Sequence, residues 1–302
     1  MLYCSVCGAA NASGSTTCFA CQQPLHAVKD EDNTTQNLLH ARYHVLASVG
    51  TGGFGEVYKA VDTQASSRLV AIKQINLKGL SPQEMIDATE TFNREVELLT
   101  QLAHPNLPRV YEHFTDSDHW YLIMDFIEGQ TIEQYLLSCG GSLPVDEVLE
   151  IGVQLCSVLN YLHTRQPPII FRDVKPANIM LTPGKQVYLI DFGAARFFKP
   201  GRLRDTIAFG SPGYAAPEQY GKAQTTERSD IYSLGATLHH LLTGHDPSEA
   251  PFHFASLGSV KSGMPHDLNT LLMSMVNLDI NQRPQSAIRV KQHLQTIATE
   301  HK

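Results

Sequence analysis

The sequence predicts an α+β chain of two lobes with a small cysteine-rich module in front, and three observations carry that expectation. Short β-rich runs dominate from Tyr43 to Phe126, apolar residues recur at helical spacing after Gly129, and four of six cysteines fall in the first 21 residues as two tight pairs. A strand-rich part followed by a helix-rich part packs as two lobes around a cleft. The 302 residues suit one large or two small domains; 42% hydrophobic against 18% charged residues supplies a core and excludes disorder throughout. A net charge of −7 argues against a nucleic-acid-coating role. No run approaches the roughly 18 apolar residues that cross a bilayer. The N-terminus has neither the basic start nor the apolar run of a secretory signal. The expectation is a cytoplasmic chain with no membrane segment.

Residues 1–27 are rich in small residues and hold Cys4-x-x-Cys7, ten further residues, then Cys18-x-x-Cys21. Two such hooks offer four thiolates to one ion, and Gly8 permits a tight turn after the first. Tetrahedral Zn²⁺ suits that set, and four protein ligands leave no open position, so a structural zinc ribbon is expected. Two surface dithiols or two disulfides are the plainer alternative. The module contains no Lys or Arg; a contact for a protein partner therefore fits better than nucleic acid. Residues 28–41 have linker composition. Cys139 and Cys156 read as packing residues.

From Tyr43 the runs Tyr43–Ser48, Val57–Val61, Leu69–Ile75, Arg109–Phe114 and Trp120–Phe126 read as strands, with one helix over about Ser81–Leu102. Further on, Val148, Ile151, Leu155, Val158, Leu159 and Leu162 form one buried helix face.

Between the first two runs lies Gly50-Thr51-Gly52-Gly53-Phe54-Gly55-Glu56-Val57. That spacing also opens Rossmann folds, but Val57–Val61 continues as a strand and no βαβ unit surrounds it. A glycine-rich hairpin lies over a triphosphate because missing side chains let backbone N–H groups reach the oxygens. Val57 would cover one face of the base. Next come Val70-Ala71-Ile72-Lys73, Glu95 on the helix, Phe171-Arg172-Asp173-Val174-Lys175-Pro176-Ala177-Asn178, Asp191-Phe192-Gly193 and Ala216-Pro217-Glu218. With these six motifs in this order the chain resembles the protein kinase family over about residues 42–297. The phrasing around Asp173–Leu181 and Ala216–Tyr220 looks most like the bacterial, Hanks-type serine/threonine branch.

The resemblance implies a bilobal protein-kinase fold, with a β-rich N-lobe over about 42–126 and a helical C-lobe over about 130–297. It implies ATP held by Gly50, Gly52, Gly53, Phe54, Gly55, Val57, Ala71 and Lys73, with Met124 as gatekeeper and the backbone of Asp125 and Ile127 at the adenine edge. Lys73 would hold phosphates while paired to Glu95, and Asn178 and Asp191 would ligate Mg²⁺ or Mn²⁺. Asp173 would orient the attacking hydroxyl and Lys175 would face the γ-phosphate. Structural places are implied for Ser211 against Asp173 and Lys175, for Glu218 paired with Arg283, and for Asp230 anchoring the catalytic-loop backbone. Leu99, Val110 and Phe192 read as a packed spine, and His104 and His163 as packing residues. Adjacent His239 and His240 face different ways on a helix and share no metal. Phe171 stands where the family has His; another aromatic keeps the packing on Phe192 and loses one hydrogen bond.

By the same resemblance, Arg172 before Asp173 implies an activation segment ordered by phosphorylation. Thr206 is the expected site, with Arg172 and Arg196 receiving the phosphate. The expected partners are protein substrates and, for autophosphorylation, a transient second copy. The competing reading is a nucleotide-binding scaffold that recruits partners through the ribbon; the intact Lys73, Glu95, Asp173, Asn178 and Asp191 set argues against it.

Overall fold

The structure is a computed structural model that describes residues 2–3, 10–11, 15–18, 22, 38–52, 55–116, 118–200, 210–221, 223–260 and 263–301, the side chains of 2–3, 10–11 and 51–52 excepted. It divides into two compact units, Met1–Gln101 with Pro108–Ile127, and Leu102–Leu107 with Glu128–Lys302.

In the first unit, β1 (Leu2–Tyr3) and β2 (Ala10–Asn11) pair antiparallel on either side of the first cysteine pair in the sequence. A six-stranded antiparallel sheet follows, built from β3 (Leu38–Leu39), β4 (Tyr43–Gly52), β5 (Gly55–Asp62), β6 (Arg68–Asn76), β7 (Val110–Thr115) and β8 (His119–Asp125) in the order β3-β4-β5-β6-β8-β7. Strand β3 lies inside the stretch expected to be linker. Leu38 pairs with His44 and Leu39 with Tyr43, and the His40 ring lies 4.3 Å from that of Phe114. Apolar residues that meet a sheet edge join it, so the sheet begins before residue 42. Tyr43, Ala60, Val70, Ile72, Tyr121 and Ile123 form a core on this sheet.

Helix α1 (Pro82–Thr100) starts where a capping box dictates: Ser81 Oγ accepts from the Glu84 N–H, the Glu84 carboxylate accepts from the Ser81 N–H, and Pro82 needs no N–H partner. Its buried face carries Ala88, Phe92, Glu95, Leu98 and Leu99, and Phe92 packs on Trp120 with centroids 5.1 Å apart.

The second unit is mainly helical: α2 (Ile132–Ser138), α3 (Val145–His163), α4 (Glu227–Thr243), α5 (Leu257–Val260), α6 (His266–Met275) and α7 (Ala287–Glu300). The expected face of α3 is buried at every one of its six positions. A Cβ on Gly152 would lie 2.9 Å from Leu294 and 3.1 Å from Leu238, so this glycine lets α3 approach α4 and α7 closely. Cys156 is buried on α3, whereas Cys139 is exposed at the C-cap of α2, past that helix's buried residues, and packs nothing as a core residue would. Short strands β9 (Gln130–Thr131), β11 (Ile179–Leu181) and β12 (Val187–Leu189) form one small sheet, and β10 (Ile169–Ile170) pairs with β13 (Arg196–Phe197). These ribbons clamp the loop between β10 and β11 and the turn after β12, which carry the polar motifs. Residues 102–107 belong here because Asn106 Nδ2 donates to the Val187 carbonyl at 2.6 Å and its own carbonyl accepts from Leu189 N–H at 2.9 Å. Among the described residues, no helix is long and apolar enough to cross a membrane.

Candidate active site

Lys73 and Glu95 meet in the first unit. The Lys73 ammonium donates to both Glu95 carboxylate oxygens, at 2.8 and 2.7 Å; Glu95 is 2% exposed and Lys73 24%. Strand β6 aims the lysine and α1 delivers the glutamate. Val57 is the cross-strand partner of Lys73 and Gly50 that of Val57, so the glycine-rich strand end lies one strand over from the lysine. Two of its glycines answer different demands. A Cβ on Gly55 would sit 1.9 Å from the Gln74 carbonyl oxygen, so the sheet itself requires glycine there. A Cβ on Gly50 meets nothing within 4 Å among the described residues, which leaves that position open to an approaching group. Gly53 and Phe54 lie outside the described residues, as does the side of Gly52.

On the neighbouring strand, Lys73 pairs with Leu122, Ala71 with Met124 and Val70 with Asp125. Asp125 is thus three rungs from Lys73, about 10 Å along the ladder. Its N–H donates to the Arg109 carbonyl at 2.9 Å. Ile127 closes the unit and is half-buried.

In the second unit the polar motifs converge on Asp173. Ser211 Oγ donates to Asp173 Oδ1 at 2.7 Å, Asn178 Nδ2 to Oδ2 at 2.7 Å, and the Lys175 ammonium lies 3.0 Å from Oδ2. Lys175 also donates to Ser211 Oγ at 2.6 Å. The carboxylate is therefore fixed by a hydroxyl, an amide and a cation. Asn178 spends its amide N–H groups on Asp173 and so turns its Oδ1 the other way, as a hard oxygen donor. The Ile190 N–H donates to the Asn178 carbonyl at 2.9 Å, tying the residue before Asp191 to Asn178. Asp191 is exposed, with a left-handed backbone at φ 65°. The oxygens of Asn178 and Asp191 are of the hard kind that suits Mg²⁺, which takes one or two protein oxygens beside phosphates and water.

Behind Asp173 stands a second carboxylate. Asp230 is fully buried; its oxygens accept from Phe171 N–H at 2.8 Å and Arg172 N–H at 2.7 Å, and His163 Nε2 lies 2.8 Å away. Arg172 has φ 72°, a conformation costing a non-glycine residue on the order of 1 kcal/mol or more. Asp230 holds that strained backbone from one side, and Gln219 Nε2, which donates to the Arg172 carbonyl at 2.8 Å, from the other. His163 thus anchors Asp230 as well as packing. Phe171 is fully buried and meets Phe192 edge-on at 5.1 Å and 82°.

A glycine-rich hairpin, a Lys–Glu pair on strand and helix, and an Asp–Lys–Asn loop anchored by a buried aspartate coincide with one family description: the sequence matches the family described as protein kinase domain over residues 43–295. The chain belongs to the protein kinase family. It is 33% identical over 270 residues to serine/threonine-protein kinase pkn2 of Myxococcus xanthus, covering 83% of this chain and 32% of that protein. It is 37% identical over 225 residues to PknA of a Nostoc strain, covering 71% and 39% respectively, and 34% over 210 to PrkC of Bacillus subtilis, covering 69% and 31%. The chain spans about a third of the length of these curated relatives.

Further from Asp173, this protein kinase domain places Glu218 against Arg283. Two guanidinium–carboxylate bonds of 2.7 and 3.0 Å join them, and Ser229 Oγ donates to Glu218 at 2.7 Å. Burial pushes the Glu218 carboxyl up, but Arg283 and Ser229 outweigh it and hold the group below its ordinary value. On α4, His239 Nε2 meets the Ala255 carbonyl while His240 Nδ1 meets the Tyr214 hydroxyl, and their rings diverge. Leu99 and Phe192 are buried and Val110 half-buried, each within its own unit. Arg172 is buried and Arg196 half-buried, with its guanidinium donating to the Ala195 carbonyl at 3.2 Å. Thr206, Cys4, Cys7 and Cys21 lie outside the described residues; Cys18 is buried. Sequence reasoning missed Gln219, whose signal was its place three residues after Ala216, where its amide also accepts from the Ala216 N–H at 3.1 Å.

Proposed function

We propose that this chain is a serine/threonine protein kinase that transfers the γ-phosphoryl group of ATP to Ser or Thr hydroxyls of proteins. The observation that carries the reading is the Lys175–Ser211–Asp173–Asn178 constellation: a carboxylate fixed from several sides beside a cation, with an amide oxygen turned outward. Asp173 orients the acceptor hydroxyl and takes up its proton as the new O–P bond forms and the bond from the γ-phosphorus to the β-phosphate oxygen breaks, ADP leaving, while Lys175 offsets charge on the transferred group. Lys73, held in place by Glu95, meets the other phosphates, and Gly50 gives the nucleotide room. Asp125 contributes its carbonyl to the adenine edge, since its N–H is already bonded, and Ile127 its backbone. Asn178 and Asp191 would hold Mg²⁺ or Mn²⁺, which when bound neutralises phosphate charge. The serine/threonine preference rests on the named relatives and on Lys175. The scaffold alternative gains no support from a constellation assembled in full.

The reading extends to zinc at Cys4, Cys7, Cys18 and Cys21. The strands flanking the first pair, and the turn closed by Gln22 N–H on the Cys18 carbonyl at 2.9 Å, support a folded knuckle there. Thiolate ligation suits a reducing, cytoplasmic setting. Zinc content of the purified chain should be one per molecule and should vanish in Cys4→Ser with Cys18→Ser. Control by autophosphorylation at Thr206, received by Arg172 and Arg196 and carried out between transient pairs, completes the proposal.

Phosphosite mass spectrometry after incubation with Mg·ATP and a basic acceptor protein tests it, with Asp173→Asn alongside. Phosphate on Ser or Thr in the wild type and none in the variant supports the kinase. No transfer with ATP binding intact overturns it. Thr206→Ala with full activity and an unchanged phosphosite map overturns the switch alone.

A further inference from the structure

Strand β7 carries a bulge against β8: Val110 pairs with Met124 and Glu112 with Ile123, leaving Tyr111 unpaired in the ladder. A bulge bends its strand and re-aims the extra side chain, and bulges gather near active sites. Here the Tyr111 hydroxyl donates to Asp125 Oδ1, while Oδ2 of the same carboxylate accepts from the Arg109 N–H at 2.9 Å. Asp125 is the last residue of β8; the ladder to β6 ends with it, and the ladder to β7 ends one residue earlier, at Met124. Backbone at such an end frays unless something outside the ladder holds it.

Tyr111 is itself held. The Arg68 guanidinium lies 3.6 Å over its ring, and Arg68 donates to the buried Asp62 at 3.0 Å. Asp62 also accepts two bonds from Arg42, at 2.8 and 2.7 Å. An aromatic ring pinned under a guanidinium that is itself tied to a buried carboxylate has little freedom to swing away.

From this arrangement, and resting on the proposed nucleotide role of this strand end, we infer that Tyr111 and the Asp125 side chain are positioning residues for the nucleotide base. They fix the backbone at Asp125, three rungs from Lys73, so that the base edge and the phosphates are met in register. The phosphate end of the site is set separately, by Lys73 and Glu95.

The test is steady-state kinetics with ATP and GTP on the full chain, alongside ADP binding and thermal unfolding, for wild type, Tyr111→Phe and Asp125→Asn. Tyr111→Phe keeps the ring under Arg68 and removes one hydroxyl. It should raise the KM for ATP and the Kd for ADP by about tenfold, the scale of one hydrogen bond to a charged group. Turnover and the acceptor KM should stay within about twofold, and ATP should lose preference over GTP. Asp125→Asn should likewise raise the Kd for ADP. Unchanged ADP affinity in both variants overturns the inference while leaving the kinase reading standing. A fall in turnover that tracks a lowered unfolding midpoint assigns the bulge to stability and overturns it as well. A wild-type chain that binds no ADP overturns the inference together with the nucleotide reading.

Discussion

Each unit buries a carboxylate against a cation, and the two pairs are built for different ends. Glu218 and Arg283 are both sealed: the guanidinium is 0% exposed, meets both carboxylate oxygens and also donates to the carbonyls of Asn277 and Arg228. Glu95 is as deeply buried, yet its partner is a lysine that keeps 24% of its side chain exposed. Arginine's planar fork locks bidentately into the fold, whereas an ammonium is a compact point charge on a flexible stem. The contrast separates a pair sealed inside the fold from one whose cation stays partly exposed, as the proposed phosphate contact requires.

The sharpest way to test that division is to remove the chemistry and keep the fold. Asp173→Asn should lower phosphoryl transfer by about 10²–10⁴-fold with little change in the unfolding midpoint, measured by radiolabel transfer and calorimetry. Charge-conserving swaps then probe the two pairs in mirror image. Lys73→Arg should cut turnover at least about tenfold while stability holds, because the broader head group meets the phosphates differently. Arg283→Lys should leave nucleotide affinity intact and cost about 2 kcal/mol, read from urea unfolding, because the fork and its carbonyl bonds are lost. Equal effects of the two swaps on turnover and stability would erase the distinction.

Acid probes the sealed pair. Folding holds the Glu218 carboxyl below its ordinary 4.5, so the pair's stabilisation is present above that pH and is lost as pH falls through the lower, folded value. Glu218→Gln should be less stable than wild type near neutrality, and the gap should narrow as pH drops below about 4.5, in urea unfolding at a series of pH values. The smallest effect expected is at Phe171. Phe171→Leu keeps an apolar side chain but removes the edge-on contact with Phe192, worth about 1 kcal/mol and a few degrees of midpoint.

Much of this was legible along the chain because it rests on local rules. The capping box of Ser81 and Glu84 marks the start of α1, the spacing of Val148 through Leu162 marks the buried face of α3, and period-two runs mark the sheet from Tyr43 to Asp125. Cys139 misled because composition does not tell a helix end from a helix face. Leu38 and Leu39 sit in a polar stretch and join the sheet through partners four to six residues on. The clasp of His163 and Gln219 around the Asp230 anchor joins residues 47 to 67 positions apart, and no local pattern announces it.

The sequence by itself determined the family, the order of the motifs and the chemical character of each candidate group, because these depend on residue type and short-range spacing. Tertiary structure decided which groups touch. It turned Asn178 toward Asp173, pinned Arg172 at positive φ between Asp230 and Gln219, and bulged Tyr111 onto Asp125. Those arrangements depend on packing between segments far apart in the chain. Burial makes each unpaired polar group costly, and that cost selects one set of partners among many the sequence would allow.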